Sequence, residues 1–358
     1  MYEAGKPTLD HLDRLTDTTG LIQHAIYSLP RRESGYTIDD NARALFLCVH
    51  QWSRRPQQRT LDRITRYLSL LEYARRRGSG FYNLMTYQRQ WLDTDSRGDC
   101  QGQAIRALAE VLGSELPDDY RLLARELIQA AIPTLAELRS LRAQAYVVLA
   151  YGRLRAAGIT NIERLEEIAL SSARNLVDCY NRSRRPDWRW FESRMTYANA
   201  VMPHALLIAA ECWSDPAFLE VGEDSLAFLN QETTQDDVFW PVGNNGWYSH
   251  GEGKSPYDQQ PVEAATMADA AFAALRVLAN DGYHDVFDRA RGWFHGRNSL
   301  KQPLVDARTG GCCDGLQSGG VNRNQGAEST WAYLWTEELA LCLGERTDPE
   351  RTASQLVI

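Results

Sequence analysis

The chain has 358 residues, 44% hydrophobic and 24% charged, which is enough apolar material for a large core. Its net charge of −8, with Lys and Arg scattered, argues against a nucleic-acid or anionic-membrane surface. The start Met1-Tyr2-Glu3-Ala4-Gly5-Lys6-Pro7 has no basic-then-apolar signal, and no apolar stretch is long enough to span a bilayer.

In chain order, residues 8–15 read as a short helix that closes the last of six helical pairs. The first buried helix begins at Asp39-Asp40-Asn41-Ala42-Arg43, near residue 40. It is followed by Leu61-Asp62-Arg63-Ile64-Thr65-Arg66-Tyr67-Leu68, whose apolar residues at i, i+3 and i+7 form the stripe of a surface helix. The pattern repeats from Asp99-Cys100-Gln101-Gly102 with a surface helix at 120–131, and from Leu141-Arg142-Ala143-Gln144 with one at 162–179. Further starts lie at Tyr197-Ala198-Asn199-Ala200, Glu263-Ala264-Ala265 and Gly326-Ala327-Glu328, with surface helices at 216–229 and 286–294. The six starts are 60, 42, 56, 66 and 63 residues apart, room for two helices and their loops. Such a period marks arrays in which no helix pair buries its apolar face alone. Six pairs without a Pro/Gly/Ser-rich linker predict a single all-α domain over 1–358, a closed double ring with its polar helix starts at one rim.

The loops entering these helices are long. They include Gly80-Phe81-Tyr82-Asn83, Asp187-Trp188-Arg189-Trp190-Phe191-Glu192, a run from Phe239 to Tyr248, and Gly310-Gly311-Cys312-Cys313. Long loops in a compact domain are functional or disordered, and their aromatics argue for order. Arg75-Arg76-Arg77 and the arginines at 182–185 read as solvated loop faces. Seven cysteines without a disulfide or CxxC spacing read as reduced thiols in a cytoplasm.

Thr37-Ile38-Asp39-Asp40 fits a capping box, and Asp39 can pair with Arg43 at i+4. One acid would suffice for capping, so one of the pair is a candidate for chemistry. Glu263, after Gln259-Gln260-Pro261, and Glu328, one turn into a buried helix behind an Asn324 cap, are further candidates. Asp99 and Glu192 are weaker ones. Carboxyl groups among aromatics suit sugars: a ring face accepts the C–H face of a pyranose, and amides bind its hydroxyls. Hydrolysis needs one acid and one opposing carboxylate, about 5–5.5 Å apart for retention and about 6.5–9.5 Å for inversion. No metal pattern, GxSxG or Walker-type loop is present, so neither metal nor cofactor is expected. His24 and His250 could line a site, but a lone His is more often structural.

The chain resembles the six-hairpin, (α/α)6-barrel glycosidase-like superfamily over nearly its whole length. Residues 35–44, 190–200, 258–264 and 324–330 are similar to a bacterial group whose members occur alone or as the C-terminal part of proteins labelled glycosyltransferases. The resemblance implies a barrel with paired carboxylates at inner-helix tips, and an adjacent Asp-Asp pair serves some endo-mannanases. The expectation is therefore a cytoplasmic glycoside hydrolase acting on an oligosaccharide, with a possible link to a glycosyltransferase. The expected catalytic set is Asp39, Asp40, Glu263 and Glu328, with Asp40 first and Glu328 or Glu263 as its partner. Substrate would be bound by Tyr36, Asn41, Asp99, Trp190, Glu192, Tyr197, Asn199, Trp247, Tyr248, Gln259, Gln260, Asn324 and Gln325. The alternatives are a sugar epimerase or isomerase, which would prefer a His pair, and a non-catalytic glycan-binding module of a glycosyltransferase system.

Overall fold

The computed structural model describes residues 7–76, 78, 80–93 and 98–346. The start at 1–6 and Arg77 of the arginine run lie outside them. Twelve α-helices form among the described residues. In chain order they are α1 (Asp10–Leu15), α2 (Ile38–Arg54), α3 (Gln58–Tyr73), α4 (Asp99–Leu112), α5 (Asp118–Leu135) and α6 (Leu141–Ala156). After these come α7 (Leu165–Ser183), α8 (Val201–Trp213), α9 (Pro216–Glu232), α10 (Pro261–Val277), α11 (Tyr283–Phe294) and α12 (Ala327–Arg346). Each of the six anticipated inner helices begins within about three residues of its expected start. No described helix is long and apolar enough to cross a membrane. None of the seven cysteines, all among the described residues, forms a disulfide.

The chain divides into two compact units, and α7 runs across the division. The first unit holds Asp13–Ala25 and Leu29–Arg174. In it α4 packs between α2 and α6, with α3 behind α2 and α5 behind α4. Burial follows from sequence. Every residue of α4 from Cys100 to Leu112 is buried, as the helix has neighbours all round. A Cβ on Gly102 would stand 2.7 Å from the Ala143 carbonyl, so glycine is what lets α4 and α6 approach. The outer helix α3 buries only a stripe, including Ile64, Tyr67, Leu68 and Leu71. On that stripe Arg63 is held by two hydrogen bonds to Asp13, of 2.6 and 2.7 Å.

At the C-terminal ends of α2, α4 and α6 lies a buried charge cluster. Arg153 donates to Glu110 at 2.7 Å and to the Gly113 carbonyl at 2.7 Å, and His50 stands 3.5 Å from Glu110. Burial alone would raise Glu110, but His50 and Arg153 outweigh it and hold the carboxyl at about 2.

The second unit holds the described parts of Met1–Leu12, Ile26–Ser28 and Asn175–Leu356. Here α10 packs between α8 and α12, with α9 behind α8 and α11 behind α10. The alanines at 264, 265, 268, 270, 271, 273 and 274 are all buried, which is how α10 carries close neighbours on several sides. Arg291 of α11 and His295 just past its end both bond Glu337 of α12, at 2.8 and 2.9 Å. Short antiparallel ladders stiffen the loops, among them 194–195 with 248–249 and 315–317 with 320–322. In the first unit 36–37 pairs with 84–85. The arginines at 182, 184 and 185 are exposed, as expected, and Arg185 covers the last carbonyls of α7.

Glu110→Gln is expected to cost about 3–5 kcal/mol at pH 7, because Arg153 would keep its charge in a buried place. Glu110 is depressed in the folded state, so its stabilisation is full above pH 4.5 and fades as pH falls towards 2. Urea unfolding at pH 7 and at pH 3 should show the gap between parent and variant narrowing. A loss below about 1 kcal/mol at pH 7 would contradict this account.

Candidate active site

In the first unit the start of α2 is built by the strand before it. Gly35 has φ +64°, and a Cβ there would lie 2.1 Å from the Met85 carbonyl, so only glycine lets 36–37 pair with 84–85. Thr37 then caps the helix: its Oγ1 accepts from the Asp40 amide at 3.2 Å and donates to Asp40 Oδ2 at 2.7 Å. The other Asp40 oxygen takes the Arg43 guanidinium at 3.0 Å. Sequence spacing suggested an Asp39–Arg43 pair at i+4; the ion pair forms instead from Asp40, at i+3. Asp40 is thus the partner of the Thr37 cap and the counterion of Arg43, and both its oxygens are engaged.

Asp39 is different. Its Oδ2 accepts from Asn83 Nδ2 at 3.2 Å, while Oδ1 is buried without a hydrogen bond. The residue as a whole is partly open, but that oxygen is out of reach of solvent. Burial pushes the carboxyl up to about 7. Arg43 opposes the rise, the nearby Asp40 and Asp99 carboxylates add to it, and the Asn83 bond opposes it. A carboxylic acid that keeps its proton near pH 7 is suited to general acid catalysis. Asp99, at the start of α4, accepts from Ser140 Oγ at 2.6 Å.

Two other expected ligand contacts of this unit are internal. Asn41 is fully buried; its Oδ1 accepts from the Leu21 amide, and its Nδ2 donates to the Leu21 and Thr37 carbonyls. Tyr36 is 2% exposed and donates to Asp17 at 2.6 Å. Both fix the entry to α2 and offer nothing to a sugar hydroxyl.

In the second unit Glu263, in the first turn of α10, accepts from the Ala198 amide and from Asn199 Nδ2 at 3.0 Å. Asn199 is 1% exposed and also closes a turn onto Thr196. The Glu263–Asn199 pair therefore anchors the entry to α8, where Ala198 sits at φ +45°. Gln259 is fully buried: Trp293 Nε1 donates to it at 2.9 Å, and it donates to Ser299 Oγ and the Pro256 carbonyl. Trp190 has no exposed surface and meets Phe191 edge-on, so it has no face open to a sugar. Tyr248 bonds Glu232 at 2.9 Å, and His250 stands 3.2 Å from Asp187.

Asn324 does not cap α12. Its Oδ1 accepts from the Tyr27 amide at 2.9 Å, and the Gly326 amide donates to Asp314. Gln325 accepts from His11 through its carbonyl and has Oε1 against Gly311. What remains partly open is Glu192, Gln260, Glu328 and the ring pair Tyr197–Trp247, whose centroids are 6.4 Å apart. Sequence reasoning missed Asn83 as a partner of Asp39 and His204, which lies 3.6 Å from Asp269 within the α8–α10 packing. Asn83 stood in a loop noticed only for its aromatics. Among the described residues no group of three or more side chains could hold a metal.

No family model matches the sequence, and no curated protein matches it. Solved structures do. The chain is similar to a cellobiose 2-epimerase from Bacillus thermoamylovorans, with 13% identity over 94% of this chain and 96% of that one, and a TM-score of 0.71. A GH76 α-mannanase of Bacteroides thetaiotaomicron matches with 11% identity over 94% of each chain and a TM-score of 0.67. An α-1,6-mannanase of Salegentibacter, in an inactive variant with two adjacent aspartates changed to alanine, is bound to α-1,6-mannotetrose. It matches at 12% identity over 92% of this chain and 94% of that one, with a TM-score of 0.60. The fold is the all-α (α/α)6 barrel anticipated from the sixfold recurrence.

Asp39→Asn should stabilise the protein at pH 8 and leave it unchanged at pH 4. The folded carboxyl binds its proton more tightly than the unfolded one, so parent stability falls as pH rises from 3.8 to about 7. With allowance for solvent at this partly open residue, the gain at pH 8 is on the order of 1–2 kcal/mol. Thermal unfolding at the two pH values checks it; equal shifts at both would show that the carboxyl is not perturbed.

Proposed function

We propose that the protein is a carbohydrate-active enzyme, and within that class a glycoside hydrolase whose proton donor is Asp39. The observation that carries this reading is the Asp39 carboxyl, protonated up to about pH 7 beside the Asp40–Arg43 ion pair. The sequence favoured Asp40; the geometry favours its neighbour, because Asp40 has no free oxygen. The mannanases and epimerases that share the fold support sugar chemistry. The mannanase inactivated by loss of two adjacent aspartates supports a role for the Asp39–Asp40 pair in particular. On the second unit, the partly open rings of Tyr197 and Trp247 suit a pyranose face.

In the reaction the bond between the anomeric carbon and the glycosidic oxygen breaks. The leaving oxygen takes the Asp39 proton, and a water supplies hydroxide to the anomeric carbon as its own proton passes to a carboxylate. The parent should cleave a member of an oligosaccharide panel read by mass spectrometry. Asp39→Asn should slow it by about 10²–10⁴-fold, and the parent rate should fall as pH rises beyond about 7. Full turnover by Asp39→Asn would remove Asp39 from the chemistry. Glu328→Gln and Asp40→Asn, run beside it, identify the second carboxylate by their loss of turnover.

A second reading is favoured by His204 beside Asp269, since a sugar epimerase would prefer histidine as its acid and base. It predicts an isomeric product of unchanged mass, visible by proton NMR and lost in His204→Ala. Binding with no product, indifferent to Asp39→Asn, would instead mark a glycan-binding module.

A further inference from the structure

Building on Asp39 as proton donor, we infer that Asn83 is its positioning residue, its side-chain NH2 bonding Oδ2 and so holding the carboxyl in one orientation. The argument rests on the direction of each hydrogen bond. Asn83 Oδ1 accepts from the amides of Ile38 at 3.1 Å and Asp39 at 3.2 Å. Backbone N–H groups only donate, so the amide oxygen must face them and its NH2 must face Asp39. Nδ2 then donates to Asp39 Oδ2 at 3.2 Å. That bond favours the charged form of Asp39, so the donor both orients the carboxyl and opposes the effect of its burial. One side chain thus takes the Asp39 amide, shares the Ile38 amide with its own backbone carbonyl at 3.0 Å, and orients the acid beside them.

Asn83 is itself held firmly. Asp93 accepts from the amides of Asn83 and Leu84, both at 2.8 Å, and 84–85 pairs with 36–37. On either side of Asn83 in sequence the loop is pinned by a ring stack. Arg76 lies 4.9 Å from the Tyr82 ring, Tyr82 stacks on Trp91 at 5.1 Å, and Tyr73 leans on Trp91 at 5.6 Å. The charged groups acting on Asp39 are Asp40 and Arg43 from α2 and Asp99 from α4. Asn83 is the neutral group among them that bonds it directly.

Asn83→Asp separates the two duties, since a carboxylate still accepts from the Ile38 and Asp39 amides but puts an acceptor against Oδ2. Carbon-13 NMR of the carboxyl groups, with Asp39→Asn to assign the Asp39 signal, reads its midpoint without any substrate. In Asn83→Asp the apparent Asp39 midpoint should rise by about one pH unit or more, with the fold retained. Asn83→Ala, which removes the donor without adding charge, should raise it by less and serves if the first variant does not fold. On a substrate the parent cleaves, kcat should fall with KM little changed, and the alkaline limb should move with the midpoint. An Asp39 midpoint unmoved in both variants overturns the inference. A midpoint that moves while turnover ignores both Asn83→Asp and Asp39→Asn supports the positioning and rejects Asp39 as the proton donor.

Discussion

Two adjacent carboxyl groups have to be accommodated in one helical turn where solvent is scarce, and the end of the first unit where α2 begins is arranged around that constraint. A buried carboxylate costs several kcal/mol unless a cation or hydrogen-bond donors compensate it. The turn has one guanidinium in ion-pair contact, Arg43, and it goes to Asp40, whose other oxygen is held by the Thr37 hydroxyl. Asp39 receives a single neutral donor. Equal chemistry in unequal surroundings separates the two acids, and the one left short of partners holds its proton. Successive residues of a helix point about 100° apart, so neighbours in sequence can live in environments this different.

The same scarcity of water explains why so many polar side chains near the inner-helix starts are structural. Inner helices buried all round present free amides and carbonyls where loops must arrive, and a buried amide left unpaired costs about 1–3 kcal/mol. Asn41, Asn199 and Glu263 meet that demand, each joining a loop to a helix start. At the far ends of α2, α4 and α6 the His50–Glu110–Arg153 cluster solves the complementary problem with charges. A polar residue at the mouth of such a helix therefore has two competing explanations, and counting hydrogen bonds decides between them. By that count Asn41 is a staple and Asp39 is not.

Much of the architecture was legible in the sequence because helical burial leaves a period. The stripe of α3 gave its element away, and the start of α10 at Pro261 lies within two residues of the anticipated one at Glu263. The two-residue ladders were not legible, since a period-2 pattern needs more residues than 36–37 or 248–249 provide. Nor was the division of roles within the site. Trp190 and Trp247 look alike in a sequence, yet one is sealed against Phe191 and the other keeps part of its surface. Asn324 reads as a cap until Tyr27, nearly three hundred residues earlier in the chain, is found occupying its oxygen. Local spacing sets which residues reach a helix tip; contacts distant in sequence set what they do there.

Asn83 shows how far that second rule extends. It lies more than forty residues from Asp39, in a loop with no motif of its own, and no property of the asparagine alone marks it. What gives it a role is a chain of constraints: Asp93 grips its amide, a ladder fixes the segment after it, and two backbone N–H groups dictate which way its own amide turns. Each of these contacts would be read as stabilising the fold. Together they leave the Asp39 carboxyl one orientation, so the packing of the loop and the proton state of the acid are the same fact seen from two sides.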